Sequence, residues 1–355
     1  MRITRTRSRR ERIALRLPYR VAGRTTDSVE LFLLQLETDE GVVGLGTATP
    51  EAAVTGETPS ACERSLGEDS LSWLRGQDVL RIGTLCEEAR RRMRHSPGAL
   101  AALDMALHDL FAIRLGVPLA DALGRVHASL PTSVTIGIQP ADDAIALAQE
   151  LVGRGFRILK VKVGEAVEED IEIIRRLRDR FGSRVRLRAD ANVGYTPAEA
   201  VRFLGETEAH GLEFLEQPVR PRNDGLRQLP ERWRSRIAAD ESLLDERDAL
   251  ALAGSVRAAG IFNVKLMKSG GIRPALRIGA IADAAAIDLM WGCMDESVIG
   301  IAAALHAALA CPATRYLDLD GSFDLLEDVA RGGFTVTDGE MTVTSAPGLG
   351  ARLVQ

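Results

Sequence analysis

The 355-residue chain is long for one ordinary domain and suits two, one of which has room to be a barrel of roughly 200 to 250 residues. With 46% hydrophobic and 27% charged residues, it is neither a disordered nor a collagen-like sequence. A net charge of −5 and a pI near 5.7 exclude the broad positive field that nucleic acid or an acidic membrane surface requires, leaving a small-molecule partner as the expectation.

The Arg-rich start, Met1 to Arg20, lacks the run of roughly 7 to 15 apolar residues of a secretory signal and reads as a first strand. Paired strands follow over Ser28 to Glu37 and Gly41 to Thr49, joined by a turn at Asp39-Glu40-Gly41, and helices then run through Leu123. This pattern predicts an α+β domain over residues 1–128. No stretch of about 18 uninterrupted apolar residues occurs, so no membrane-spanning helix is expected. Cys62, Cys86, Cys293 and Cys311 lie far apart with no C-x-x-C pair, which argues for reduced thiols and a cytoplasmic protein.

From about residue 130, short apolar strands alternate with helical stretches such as Ala141 to Gly153 and Glu165 to Arg180. Strands start near Ser133, Ile158, Val185, Leu212, Arg236, Gly260, Ile287 and Arg315. Successive starts are 24 to 28 residues apart, the length that a strand, a helix and two short loops consume. Eight such units, the last without a following helix, predict an α/β fold: a TIM-type (β/α)7β barrel over residues 129–325. The tail, 326–355, is rich in turn and β-prone residues and is expected to pack back against the N-terminal capping domain and complete it.

Barrel enzymes carry their chemistry at the C-terminal ends of the strands. The polar residues there are Lys160 and Lys162 on the second strand, Asp190 and Asn192 on the third, and Glu216 on the fourth. Asp240 and Glu241 follow on the fifth, Lys265 on the sixth, and Asp318 and Asp320 on the eighth. Because strand side chains alternate, Lys160 shares a face with Lys162, Asp190 with Asn192, and Asp318 with Asp320. Three acids from adjacent strand ends, Asp190, Glu216 and Asp240, would repel one another without a cation. A hard dication such as Mg²⁺ resolves this and keeps positions open for substrate. Lys162 and Lys265 lie on either side of that trio in strand order, so a metal-bound carboxylate substrate would meet an amine on each face. One amine removes the proton beside the carboxylate and the other returns it. Such a base must be neutral near pH 7, and Lys160 beside Lys162 would lower its pKa by repulsion.

The motifs K-x-K, D-x-N, E-Q-P, D-E-S and N-x-K-L followed by Gly270-Gly271 occur in this order on successive strands, and over essentially its whole length the chain resembles the muconate-lactonising subgroup of the enolase superfamily. The resemblance implies Lys162 and Lys265 as the acid/base pair, Asp190, Glu216 and Asp240 as Mg²⁺ ligands, and an N-terminal domain whose loops cap the site. Within the subgroup, D-x-D on the eighth strand marks the dipeptide epimerases, and Asp318-Leu319-Asp320 matches it, with Asp320 the preferred contact for an α-ammonium group. The implied activity is two-base 1,1-proton transfer through an enediolate at the α-carbon of the dipeptide's C-terminal residue, on L-Ala-D/L-Glu or a related dipeptide. Candidate substrate contacts are Arg24, Thr135, Lys160, Glu296, Asp318 and Asp320. Arg24, in the first lid loop, hints at an acidic second residue. Lys160, Asn192, Glu241 and Lys268 are supporting candidates, and Lys268, three residues past Lys265, falls out of strand register. A homo-oligomer is expected from the same resemblance.

Muconate cycloisomerase, o-succinylbenzoate synthase and N-acylamino acid racemase share the lysines and acids, but their substrates lack a free α-ammonium for the aspartate pair to hold. A Schiff-base aldolase would not require three converging acids. None of the five histidines stands near the seventh strand, where the sequence reads GCMDE, and this disfavours a histidine base.

Overall fold

The computed structural model describes residues 1–21, 24–221 and 224–354, and the side chains of these apart from residues 17, 19–21 and 24. Three antiparallel strands open the chain: β1 (Ile3–Val21), β2 (Arg24–Thr38) and β3 (Val43–Ala48). β2 is central and buried over Leu31–Leu34, which explains an apolar run where a half-exposed strand would alternate. Against this sheet lies the helix Pro97–Leu115, whose residues from Gly98 to Leu110 are all buried. Gly44 and Gly46 of β3 allow that packing: a Cβ on Gly44 would stand 2.5 Å from the Ala106 carbonyl oxygen, and one on Gly46 would strike Ala102.

After a short strand, β4 (Leu130–Pro131), eight parallel strands form the second unit. They are β5 (Val134–Ile136), β6 (Ile158–Lys162), β7 (Arg186–Asp190), β8 (Leu212–Glu216), β9 (Ile237–Ala239), β10 (Ile261–Val264), β11 (Asp288–Gly292) and β12 (Thr314–Asp318). They are hydrogen-bonded in chain order, and a bridge between Thr132 and Leu317 brings the last strand beside the first. Each start lies within a residue or two of the position that the sequence period predicts. Connecting helices are amphipathic: Val167–Phe181 buries Ile173, Ile174 and Leu177, has Glu168, Glu169 and Asp170 in its first turn, and has Arg178 and Arg180 in its last, in keeping with the helix dipole. Eight parallel strands with helices outside place all inward strand ends on one rim.

The floor below that rim is closed by Arg188 of β7, 1% exposed, whose guanidinium stacks on Phe214 and Tyr316 and bonds to Glu213 at 2.8 Å and to the Leu317 carbonyl at 2.9 Å. The tail forms β13 (Ala330–Gly332), β14 (Phe334–Thr337), β15 (Glu340–Val343) and β16 (Ala351–Leu353). It touches the N-terminal unit where Asp109 accepts the Leu349 amide at 2.8 Å and Gly348 accepts the Leu119 amide at 2.9 Å. Among the described residues no helix is long and apolar enough to cross a membrane.

Candidate active site

Strand alternation brings the charged residues of β6 to β12 together at the rim. Lys160 Nζ, 3% exposed, lies 2.7 Å from Asp318, 2.8 Å from Glu216 and 3.0 Å from Asp190. Burial would lower its pKa, but Asp190, Asp318 and Glu216 outweigh burial and hold it well above the ordinary lysine range. Lys160 is therefore a fixed ammonium bridging three acids. Lys162 Nζ donates to Asp190 at 2.7 Å and to Asn192 at 3.0 Å.

The third acid of the trio is drawn elsewhere. Asp240 accepts from Lys265 at 2.7 Å and also from Lys268, whose Nζ donates further to the backbone carbonyls of Asp240 at 2.7 Å and Asn263 at 3.0 Å. Burial and these two lysines act in opposite senses on Asp240, and the lysines win, holding it below the usual carboxylate range. Lys265 is raised because Asp240 and Glu216 outweigh its burial, whereas burial dominates at Lys268 and lowers it. Lys268, out of strand register, is thus a buried ion-pair partner of the site.

The rim carries more acidic groups than lysines. Facing Lys160, Lys162, Lys265 and Lys268 are Asp190, Glu216, Asp240, Glu241, Glu296, Asp318 and Asp320. Asp190, below the usual range, is compensated by Lys160 and Lys162 despite its burial, and Asp318 by Lys160. The others are not. Burial and Asp190 push Glu216 up to about 8. Burial, then Asp240 and Asp190, push Glu241 to about 7, and burial pushes Glu296 to about 7. Asp320 reaches about 7 through burial and the neighbouring Asp318. Glu216 Oε2, Glu241 Oε2 and Glu296 Oε2 are buried and make no hydrogen bond; the 2.8 Å approach of Lys160 to Glu216 is a charge contact outside hydrogen-bond geometry. Oxygen-only donors, mutually repelling and under-satisfied, are what a hard dication takes. Asp190, Glu216 and Asp240, on β7, on β8 and just after β9, offer such oxygens on adjacent strands: Glu216 Oε2 has no hydrogen bond, and lysines hold the two aspartates.

Strained backbone holds these positions. Asn192 (φ 40°) and Val193 (φ 63°) turn the chain sharply after Asp190, and Val193, β-branched, is rare in that region. The turn is pinned by Asn192 N–H to Asp190 at 3.0 Å and Val193 N–H to the Gln217 carbonyl at 2.8 Å. Three residues not singled out from sequence organise the acids. Gln217 (φ 32°), fully buried, accepts the amides of Asp240 and Ser242, each at 3.0 Å, and donates to the Val219 carbonyl and the Ser242 hydroxyl, each at 2.8 Å. Asn263 donates to Glu216 Oε1 at 2.7 Å, and Ser133 donates to Asp318 Oδ1 at 2.5 Å. Gln217 and Asn263 stood within the E-Q-P and N-x-K-L motifs, and Asn263 shares Lys265's parity, so the signal was present. Ser133 carried none.

Among the other expected contacts, Asp320 Oδ2 accepts the Thr135 amide at 2.7 Å, which links β12 to β5. Asn192 Nδ2 donates to Glu241 at 3.3 Å, and Glu296 Oε1 accepts the Met294 amide at 2.9 Å. The Arg24 side chain lies outside the described residues. In strand order, β7, β8 and β9 with their acids separate Lys162 on β6 from Lys265 after β10.

Comparison with known proteins places the chain in a family. Residues 3–124 match the mandelate racemase / muconate lactonizing enzyme N-terminal domain, and residues 143–355 match the enolase C-terminal domain-like family. The chain is 53% identical over 351 residues, 99% of each sequence, to the L-Lys-D/L-Arg epimerase of Methylococcus capsulatus. It is 34% identical to the L-Ala-D/L-Glu epimerase of Bacillus subtilis, covering 99% of this chain and 96% of that one. A crystal structure of the dipeptide epimerase from Methylococcus capsulatus complexed with Mg and the dipeptide L-Arg-D-Lys superposes with a TM-score of 0.97 at 53% identity over 99% of both chains.

Proposed function

Since this chain belongs to the mandelate racemase / muconate lactonizing enzyme family of the enolase superfamily, we propose that it is a Mg²⁺-dependent dipeptide epimerase. It inverts the α-carbon of the dipeptide's C-terminal residue by two-base 1,1-proton transfer through an enediolate. The observation that carries this reading is the rim itself: two lysines on either side of three adjacent acid-bearing strands, within an excess of under-compensated carboxylates.

Asp190, Glu216 and Asp240 would hold Mg²⁺, which when bound supplies positive charge where the substrate carboxylate gains negative charge. Lys162 and Lys265 serve opposite faces of the α-carbon, one removing the proton and the other delivering one. Lys160, locked among Asp190, Glu216 and Asp318, adds a permanent positive charge beneath the reacting group. Asn192 and Glu241 orient the Lys162 side of the site, and Lys268 orients Asp240. Asp320 takes the substrate α-ammonium, with Asp318, Thr135, Glu296 and Arg24 as further substrate contacts. Residues 1–128 cap the site, 129–325 form the barrel and 326–355 return to the cap. A cytoplasmic homo-oligomer is the expected setting, and the four free cysteines are compatible with a reducing compartment.

The identity to an L-Lys-D/L-Arg epimerase and the acid-rich rim favour a cationic dipeptide over L-Ala-L-Glu and over the acidic second residue at which Arg24 hints. Proton NMR in D₂O with Mg²⁺ and L-Lys-L-Arg, L-Arg-L-Lys and L-Ala-L-Glu tests this. Loss of the second residue's α-proton with appearance of the D-diastereomer, fastest for the cationic pair, is expected; no exchange with any member ends the epimerase reading. Asp320→Asn should lower kcat/KM about 100-fold, or about 3 kcal/mol, while Mg²⁺ affinity changes little. Unchanged turnover would remove Asp320 from the substrate site.

A further inference from the structure

The two catalytic lysines are supported by different parts of the molecule. The loop after Lys162 is held from within the barrel: the Gly164 amide donates to Asp170 at 2.9 Å, and Asp170 also accepts the Tyr195 hydroxyl at 2.6 Å. The turn after Lys265 is held from the N-terminal unit. Lys265 precedes a single helical turn, Leu266–Ser269, then Gly270 and Gly271, then the barrel helix Ile272–Ala284. That helix begins without a cap from its own chain neighbours: Gly271 occupies the capping position and has no side chain.

The cap comes instead from Asp104, in the middle of the helix Pro97–Leu115. Asp104 Oδ1 accepts the Ile272 amide at 2.7 Å and the Arg273 amide at 3.3 Å. The contact is close because Gly270 and Gly271 carry no side chain: a Cβ on Gly271 (φ 112°) would lie 2.5 Å from Asp104 Cβ, and one on Gly270 would lie 2.7 Å from Leu100 Cδ2. A further tie joins the same segment to the N-terminal unit, from the Thr49 amide to Met267 Sδ at 3.4 Å. His108 Nδ1 lies 3.1 Å from Asp104 Oδ1 and Cys86 Sγ stands within 4.8 Å of the same carboxylate, so Asp104 is closely packed in place. This cluster of Cys86, Asp104 and His108 gathers metal-binding atom types within 4.8 Å, but the carboxylate is committed to the helix amides.

We propose that Asp104 is a positioning residue for Lys265: by capping the barrel helix from the N-terminal unit, it sets the turn that aims the Lys265 amine, and it has no such hold on Lys162. The proposal rests on the two-lysine reading above. It predicts a loss confined to one face of the substrate α-carbon, which a general structural defect would not produce.

The experiment follows α-proton exchange in D₂O from each diastereomer of a cationic dipeptide, with the Mg²⁺-loaded full-length enzyme. K162M and K265M first assign which diastereomer presents its proton to which lysine; if neither variant abolishes exchange selectively, the two-lysine reading itself falls. With that assignment made, Asp104→Ala should slow exchange from the Lys265-facing diastereomer at least tenfold and leave the Lys162-facing one within twofold. Asp104→Asn, whose amide oxygen still accepts the Ile272 amide, should restore most of the loss. Should the alanine variant not fold, Asp104→Ser keeps a polar partner for His108 and Cys86 but cannot reach both helix amides, and should show the same one-sided loss. Equal slowing of both diastereomers, or no slowing of either, overturns the proposal.

Discussion

Gln217 offers a quantitative check on how the acids are held. Gln217→Met keeps the side-chain volume nearly constant, so no large cavity opens, yet it removes all four hydrogen bonds of the amide. The Ser242 hydroxyl and the Val219 carbonyl, which both accept from the glutamine amide, each tolerate losing one donor. The Asp240 amide is buried and the Ser242 amide part-buried, and the methionine offers neither an acceptor. An unmet buried donor costs about 1 to 3 kcal/mol and a part-buried one less, so stability should fall by about 1 to 4 kcal/mol. The left-handed backbone at position 217 is equally unfavourable for glutamine and methionine and cancels from the difference. Because the lost bonds include the one that fixes Asp240 N–H, Mg²⁺ affinity should weaken about 10- to 100-fold, as when residues behind a metal ligand are removed. Urea unfolding measures the first effect and calorimetric Mg²⁺ titration the second. A stability loss under about 1 kcal/mol with unchanged Mg²⁺ affinity would refute the assignment of Gln217 as the support of the Asp240 loop.

His306 gives a pH prediction. Its Nδ1 accepts the Ala120 amide at 2.9 Å, which requires the neutral ring, and burial lowers its pKa to about 4. The unfolded ring titrates near 6.5, so its contribution is full above that pH and is lost as the pH falls from 6.5 toward 4, up to about 3 kcal/mol. His306→Gln, which can still accept the amide but does not titrate, should flatten the melting temperature in that window; an unchanged slope would exclude His306. Metal removal should separate activity from folding. Lys160, Lys162, Lys265 and Lys268 already pair Asp190 and Asp240, so chelation by EDTA should abolish turnover, reversibly on adding Mg²⁺, while the melting temperature drops by only a few degrees. Unfolding on chelation would contradict this.

The fold was legible because the βα period is regular and each barrel strand is a compact apolar run. Alternation then put Lys160 with Lys162 and Asp190 with Asn192 on the inner face without any tertiary information. Pairing was not legible. That Lys160 belongs to Asp318, 158 residues away, or that Lys268 leaves the strand register and still reaches Asp240, depends on barrel closure and on a single helical turn. Nor does a local pattern distinguish Ser133 from a surface serine; its role appears only when β12 comes beside β5. The glycine pair at 270–271 was visible as a motif, but its reason lies in a helix that begins 173 residues earlier, at Pro97.

The bond between Asp320 and the Thr135 amide has a consequence for how this scaffold can diversify. It fastens the seam at which the cylinder of strands meets itself, so the same carboxylate is mortar for the wall as well as a candidate handle for the ligand. A lineage that abandons ammonium-bearing substrates would have to mend that seam at once, whereas changes at residues that fasten nothing can accumulate singly. Diversity among descendants should therefore gather on the loops, with the doorpost at 320 the last thing to move.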